Sequence, residues 1–193
     1  MKNLTFFESD HLRLAAVDLD QDPIIMSGWT YDLDIARVFN GLAPHPLATF
    51  EVKKYCTNRQ KDGQENGKVF LFSIRARQED RLVGLLDIGH VMWNHGNTGF
   101  KLVFGEPEDR TQFAGEGLQL ALQFIFDELN LYRATLLLPE YDQAGIDLAE
   151  QAGFTLEVRM RQADYRNGKT WNRLIYGLLR PEYEKRQPAE AAA

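Results

Sequence analysis

The amino-acid sequence predicts an α/β fold of the α+β kind: a mixed, mostly antiparallel sheet of about six or seven strands flanked by about four helices. Three observations carry this. Strand-like runs separated by short turn signals follow one another between Val69 and Phe104. One long amphipathic stretch then covers Phe113 to Leu129. After it come an apolar run, a capped helix, and an Asn-Gly dipeptide between two further strand-like segments.

His11 to Val17 alternates apolar and polar residues at its start, as a strand does. Asp18, Asp20 and Asp22 offer N-caps to a short helix through Ile24, Ile25 and Met26, with Pro23 early and an end near Gly28. Trp29 to Pro46 reads as a long connection with a helical turn or two over Leu33 to Val38, and such connections often carry function. Thr49 is placed to cap a second helix, Phe50 to Gln60, with Val52, Tyr55 and Cys56 on one face. Asp62-Gly63 through Asn66-Gly67 reads as a surface turn. Val69–Arg75 and Leu82–Ile88 form a hairpin about Glu79-Asp80, and Phe100–Phe104 extends the meander after a turn at Asn94–Gly96.

In the long helix Phe113–Leu129, Glu116, Gln119, Gln123 and Asp127 make one polar stripe, leaving Leu120, Leu122, Phe124, Ile125 and Phe126 to pack on the sheet. Ala134–Leu138 is apolar throughout, as in a buried central strand. Asp142 is placed to cap a helix over Gln143–Ala152, with Gly153 at its left-handed C-terminal position. Leu156–Tyr165 and Thr170–Leu179 flank Asn167-Gly168, the strongest short hairpin signal in the chain. Residues 1–183 read as a single domain and 184–193 as a frayed tail.

The 193 residues are 44% hydrophobic and 26% charged, ordinary for a soluble globular chain. Acids outnumber bases by 28 to 22, a net charge of −6 that offers no basic stripe to nucleic acid and leans toward a cationic or amine partner. One cysteine, Cys56, excludes an intramolecular disulfide and a Cys-type zinc cluster. No apolar run reaches the roughly 20 residues of a membrane helix, and the first residues lack the pattern of a signal peptide. The expectation is a cytoplasmic protein with no nucleic-acid partner, no membrane partner and no metal.

The order of elements, together with particular residues, resembles the GNAT superfamily of N-acetyltransferases. Gly28-Trp29 followed by Asp32 and Arg37-Val-Phe39, and Phe126-Asp-Glu-Leu-Asn-Leu-Tyr-Arg133, are similar to stretches of its Rim-type subgroup, which contains ribosomal-protein N-terminal and spermidine acetyltransferases. Leu138-Pro-Glu140, Ala152-Gly-Phe154, the segment Arg161 to Trp171 and Tyr176-Gly-Leu-Leu-Arg180 extend the likeness across residues 10–183. The resemblance implies a GNAT fold with a splayed strand pair for acyl-CoA. It also implies acetyl-CoA as co-substrate and transfer to a primary amine by direct attack in a ternary complex. The acceptor, a protein N-terminus, a polyamine or a small-molecule amine, stays open, as does monomer or homodimer.

Amide formation from a thioester needs a held diphosphate, a polarised carbonyl and a deprotonated amine. Family members hold the diphosphate at the start of the long helix, and two registers are open here. Gln112-Phe-Ala114-Gly115-Glu-Gly117 fits the family string directly. Counting back from Phe126 instead makes the loop Arg110-Thr111-Gln112, with no glycine, and leaves Gly115 and Gly117 to close helix–sheet packing. The resemblance assigns the carbonyl and pantetheine contacts to main chain of Leu102, Val103 and Phe104, and places Asp142 where the family has an Asn beside the cofactor.

The proton-handling positions depart from the pattern. No carboxylate lies at 98–100, and the position of the family's helix Tyr is Ala149. Tyr141, His90 and Asp87 are the catalytic candidates, with Glu140 behind them. Trp29, Tyr31 and Asp32 are candidate acceptor-binding residues, with the acceptor between the Trp29–Pro46 connection and the Asn167-Gly168 hairpin. The departures leave an alternative: a GNAT-fold binding or structural module with a weakened cofactor loop.

Overall fold

The computed structural model describes residues 7–39 and 44–186. Its seven strands form one sheet in the order β1-β2-β3-β4-β5-β7-β6. They are β1 (Leu12–Ala16), β2 (Phe70–Ala76), β3 (Arg81–Met92), β4 (Asn97–Phe104), β5 (Arg133–Pro139), β6 (Thr155–Arg166) and β7 (Lys169–Leu179). The helices are α1 (Asp22–Trp29), α2 (Leu33–Phe39), α3 (Thr49–Asn66), α4 (Pro107–Gln123), α5 (Gln143–Gln151) and α6 (Arg180–Glu184). Six helices replace the four expected, because α2 is a full element and Pro181 starts a further turn at the end of β7. The tail expected over 184–193 lies outside the described residues from 187 onward, as does part of the Trp29–Pro46 connection, at 40–43.

Every described strand pair is antiparallel except β4–β5. Alternation sends successive residues to opposite sides. Leu86 and Phe104 join the core under α4 and α5, while their neighbours Leu85 and Val103 join a second core under α1 and α3. The β6–β7 turn forms as the sequence requires: Asn167 and Gly168 both take positive φ, 51° and 73°, between Arg166 and its partner Lys169. Asp142 caps α5 by accepting from the Gly145 amide at 3.1 Å, and α5 is followed by Gly153 at φ 96°.

Three helix boundaries differ from the sequence expectation. Ala48, not Thr49, is the N-cap residue of α3, and its amide donates to Glu51 at 2.9 Å. α3 also runs through Asp62-Gly63 to a left-handed Gly67; a Cβ on Gly63 would stand 2.6 Å from the Val69 carbonyl oxygen, so this glycine marks a close approach and not a turn. Helix α4 begins at Pro107, six residues before Phe113. Pro at the first helical position and Glu108 and Asp109 in the first turn favour that start, but these residues carry no apolar stripe and escape a reading by periodicity. The far end widens into a π-turn over Phe124–Glu128, whose Phe126 carbonyl accepts from Arg180.

Among the described residues, no helix is long and apolar enough to cross a membrane, and no group of three or more His, Cys, Asp or Glu is placed to hold a metal.

Candidate active site

Strands β4 and β5 pair only at their beginnings, Asn97 to Gly99 against Arg133 to Thr135. Beyond that they diverge, β4 continuing to Phe104 on β3 and β5 to Pro139 on β7. The gap opens toward the carboxyl ends of a parallel pair, where crossover sheets place their ligands. The Gly105 amide donates to the Val83 carbonyl at 3.0 Å, which fixes the ladder parity. Odd-numbered residues of β4 therefore bond to β3, and Phe100, Leu102 and Phe104 turn N–H and C=O into the gap. The Val103 main chain belongs to the β3 ladder. On the other arm, the Arg180 amide bonds to the Tyr132 carbonyl, so Leu137 faces the gap with both groups.

The wide end lies between two helix N-termini, since β4 leads into α4 and β5 into α5. Arg110 spans it: its Nη2 is 2.7 Å from each carboxylate oxygen of Asp142. Thr111 donates its hydroxyl to the Pro107 carbonyl at 2.9 Å, and Gln112 is exposed. A hollow of about 350 Å³ lies on the first turns of α4, lined by Pro107, Glu108, Thr111 and Gln112. Asp109, 5% exposed, is taken up by Arg81 with two contacts of 2.7 Å. Ala114, Gly115 and Gly117 lie inside α4, past the first four residues whose amides a helix leaves unpaired. Gly115 has open space beside it, whereas a Cβ on Gly117 would stand 3.0 Å from Phe104 Cζ, the close helix–sheet contact.

The opposite side of the gap is closed by α2. Lys101 of β4 reaches the Val38 carbonyl at 3.4 Å. Asp34 accepts from the Tyr141 hydroxyl at 3.0 Å and pairs with Arg37 and with Arg166 of the hairpin, the latter at 2.7 Å. The connection and the hairpin thus meet through Asp34 and Arg166. Arg166 stacks 4.5 Å over the Tyr141 ring, and Trp171 meets that ring edge-on at 5.5 Å. Burial, followed by the bond to Asp34, pushes the Tyr141 hydroxyl up to about 12. Arg37, Lys101, Arg166 and Trp171 were not among the sequence candidates. Nothing local marks them, because their grouping depends on α2 folding over strands about a hundred residues away.

Other sequence candidates stand elsewhere. Asp87 is 3% exposed under α3, held by Arg59 and the Tyr55 hydroxyl. His90 is exposed on the bulge of β3 at φ 57°, beside the closed end of the gap. Trp29 is a core residue, 6% exposed, with its indole against Gly105. Tyr31 is 77% exposed, and Asp32 caps α2 by accepting from the Asp34 amide at 2.8 Å. Glu140 is engaged by Arg159 and by Asn172 at 2.8 Å. Ala149 and Thr98 are buried, with the Thr98 hydroxyl donating to the Gly89 carbonyl at 3.0 Å.

A mixed sheet whose parallel pair splays, with a helix starting from each arm, is the architecture of the N-acetyltransferase class. The family described as Acetyltransferase (GNAT) domain matches residues 7–155, and the chain belongs to it. It is 25% identical over 181 residues to an uncharacterized prophage-derived N-acetyltransferase, YokL, of Bacillus subtilis, covering 94% of this chain and 97% of that one. Among solved structures it is similar to mutant forms of the spermidine/spermine N-acetyltransferase SpeG from Vibrio cholerae, with TM-score 0.75, 19% identity, and 92% and 99% of the two chains covered. It is also similar to RimL, a ribosomal L7/L12 α-N-protein acetyltransferase in complex with coenzyme A, with TM-score 0.74, 18% identity, and 89% and 95% covered.

Proposed function

We propose that this chain transfers an acetyl group from acetyl-CoA to a primary amine by direct attack in a ternary complex. The observation that carries the reading is the β4–β5 gap, into which Phe100, Leu102, Phe104 and Leu137 turn main-chain groups. The pantetheine arm is an extended chain with two amides of its own, and it fits there as a strand would. Its diphosphate then reaches the wide end, where Arg110 is the candidate partner, with Thr111 and Gln112 beside it. An amide N–H of the gap polarises the thioester carbonyl as its oxygen gains charge.

The amine nitrogen attacks the carbonyl carbon, the C–N bond forms and the C–S bond breaks. The thiolate takes a proton, for which Tyr141, protonated at neutral pH, is the candidate donor. Asp34, Asp87, Glu140 and Asp142 each sit in an ion pair, so the proton lost by the amine passes to water in this reading. Calorimetric titration with acetyl-CoA, followed by transfer of labelled acetyl to a panel of amines, tests it; no heat and no thermal shift at millimolar acetyl-CoA would sink it.

One observation favours a second reading. The first turn of α4 carries the exposed Glu108, and Arg110 is already tied to Asp142, so the diphosphate meets an acid and an occupied base. A GNAT-fold module that holds cofactor weakly and does not turn it over would bind without transfer in the same assay.

A further inference from the structure

The transferase reading leaves the acceptor open; the side chains between α2, the end of β5 and the hairpin narrow it. Side-chain hydrogen-bond donors predominate in that group. Lys101 lies two residues past the last β4–β5 pair and, among the described residues, bonds to a carbonyl. Arg37 and Arg166 share one carboxylate, Asp34, which also accepts from Tyr141. The indole Nε1 of Trp171 is buried with no hydrogen-bond partner. A buried donor left unpaired costs free energy that an incoming acceptor recovers. Of the neighbouring acids, Asp164 pairs with Arg173 and Asp87 with Arg59, while Asp32 caps α2 through one oxygen and keeps its charge. Two cations, Arg37 and Arg166, therefore share the carboxylate of Asp34, and Lys101 adds a third positive charge beside α2.

A polyamine brings only positive charge and N–H donors, and meets more donors than acceptors here, the outer oxygen of Asp32 being the exception. An α-amine next to a carbonyl brings acceptor oxygens. At a peptide N-terminus it is also weakly basic, with a pKa of about 8 against about 10 for an alkylamine, so it loses its proton near neutral pH without a strong base. That matches a site whose carboxylates are ion-paired, apart from the helix-capping Asp32. We propose that the acceptor is an α-amino-acyl amine, its carbonyl or carboxylate oxygens taken by Trp171 Nε1 and by the cations of Lys101, Arg37 and Arg166. Amino acids and peptide N-termini share the acceptor oxygens, and the peptide N-terminus alone has the weakly basic amine.

The test has a binding arm and a transfer arm. Tryptophan fluorescence of the full chain, with Trp171→Phe as reference, is followed on adding a peptide with a free N-terminus and acidic second and third residues, a free amino acid, or spermidine. The same acceptors are then offered with labelled acetyl-CoA at pH 8. A Trp171-dependent signal with an α-amine, and kcat/KM about tenfold or more above that for spermidine, is the expected result. Lys101→Glu lowers the α-amine value about tenfold and raises the spermidine value, while Lys101→Gln only lowers the first. A preference for spermidine in either arm, or no binding of any α-amine, overturns the proposal. Binding of the α-amine without transfer leaves the acceptor site standing and sinks the transferase reading instead. The relative values for amino acid and peptide identify the source of the amine.

Discussion

Arg110 and Asp142, 32 residues apart in the chain, join the first turns of α4 and α5 through two contacts of 2.7 Å across the wide end of the β4–β5 gap. The pair is half in solvent, with side-chain exposures of 46% and 22%, so it is worth little to stability. Its consequence is for an anionic ligand, which must compete with Asp142 for the guanidinium. Asp142→Asn keeps the cap on α5, since Asn caps as well as Asp, and frees Arg110. Calorimetry should find acetyl-CoA bound about threefold to tenfold more tightly by Asp142→Asn and weaker by a similar factor in Arg110→Ala. Equal affinities in all three proteins would mean that the diphosphate lies elsewhere.

The glycine after β4 predicts a different sensitivity. A Cβ on Gly105 would stand 2.0 Å from Trp29 Cε2 and 2.1 Å from its Nε1. Trp29 sits in the core under α1 and α3 and has no room to retreat. Gly105→Ala should therefore cost about 1–3 kcal/mol, read as a lower midpoint in urea. The double variant Gly105→Ala/Trp29→Phe should recover part of the overlap cost, set against the indole volume it gives up.

What was legible in the sequence is local. Asn167-Gly168 fixes its own turn, Asp142 caps its own helix, and the polar stripe Glu116, Gln119, Gln123 and Asp127 orients α4 without knowledge of the sheet. The start of α4 was not legible by periodicity, because Pro107 to Gln112 bury little and owe their helicity to proline geometry and acidic residues at the N-terminus. The acceptor-facing group was not legible at all. Asp34, Tyr141 and Arg166 are joined by hydrogen bonds and charge between separate elements, and polar residues in connections leave no spacing to read. Main-chain groups in the gap leave no trace in side-chain identity, so the resemblance alone pointed to β4, and the ladder parity then separated Val103 from Leu102 and Phe104.

Asp87 tests the division between structure and chemistry. Its carboxylate is 3% exposed and takes the Tyr55 hydroxyl and the Arg59 guanidinium, itself 18% exposed. Removing one partner of such a pair leaves a poorly solvated charge, so Asp87→Ala should destabilise by about 3 kcal/mol or more. Asp87→Ala/Arg59→Met should regain part of that. If Asp87 only supports α3, whatever transfer activity survives keeps the parent's pH profile when corrected for folded fraction. Loss of the acidic limb of that profile would instead make Asp87 the base.

Alkaline pH reads the interior. Cys56 is fully buried; burial first, then the nearby charges of Asp22 and Asp87, pushes its thiol up to about 12. Tyr141 is raised to about 12 as well, and burial also raises Tyr55 and Tyr183 above the ordinary tyrosine range. The unfolded chain loses these protons first as pH climbs, near 9 for the thiol and 10 for the phenols. Between those values and the raised ones the folded state holds more protons. Stability therefore falls with rising pH in this window and is unaffected by these groups below about pH 8. Urea midpoints should be level from pH 7 to 8 and drop steadily from pH 9 to 11. In Cys56→Ser the part of the drop that begins near pH 9 should shrink. Alkylation adds a kinetic check: iodoacetamide at pH 8 should leave Cys56 untouched in the folded protein and label it fully in urea, whereas rapid labelling without denaturant would show that α3 opens readily from the sheet.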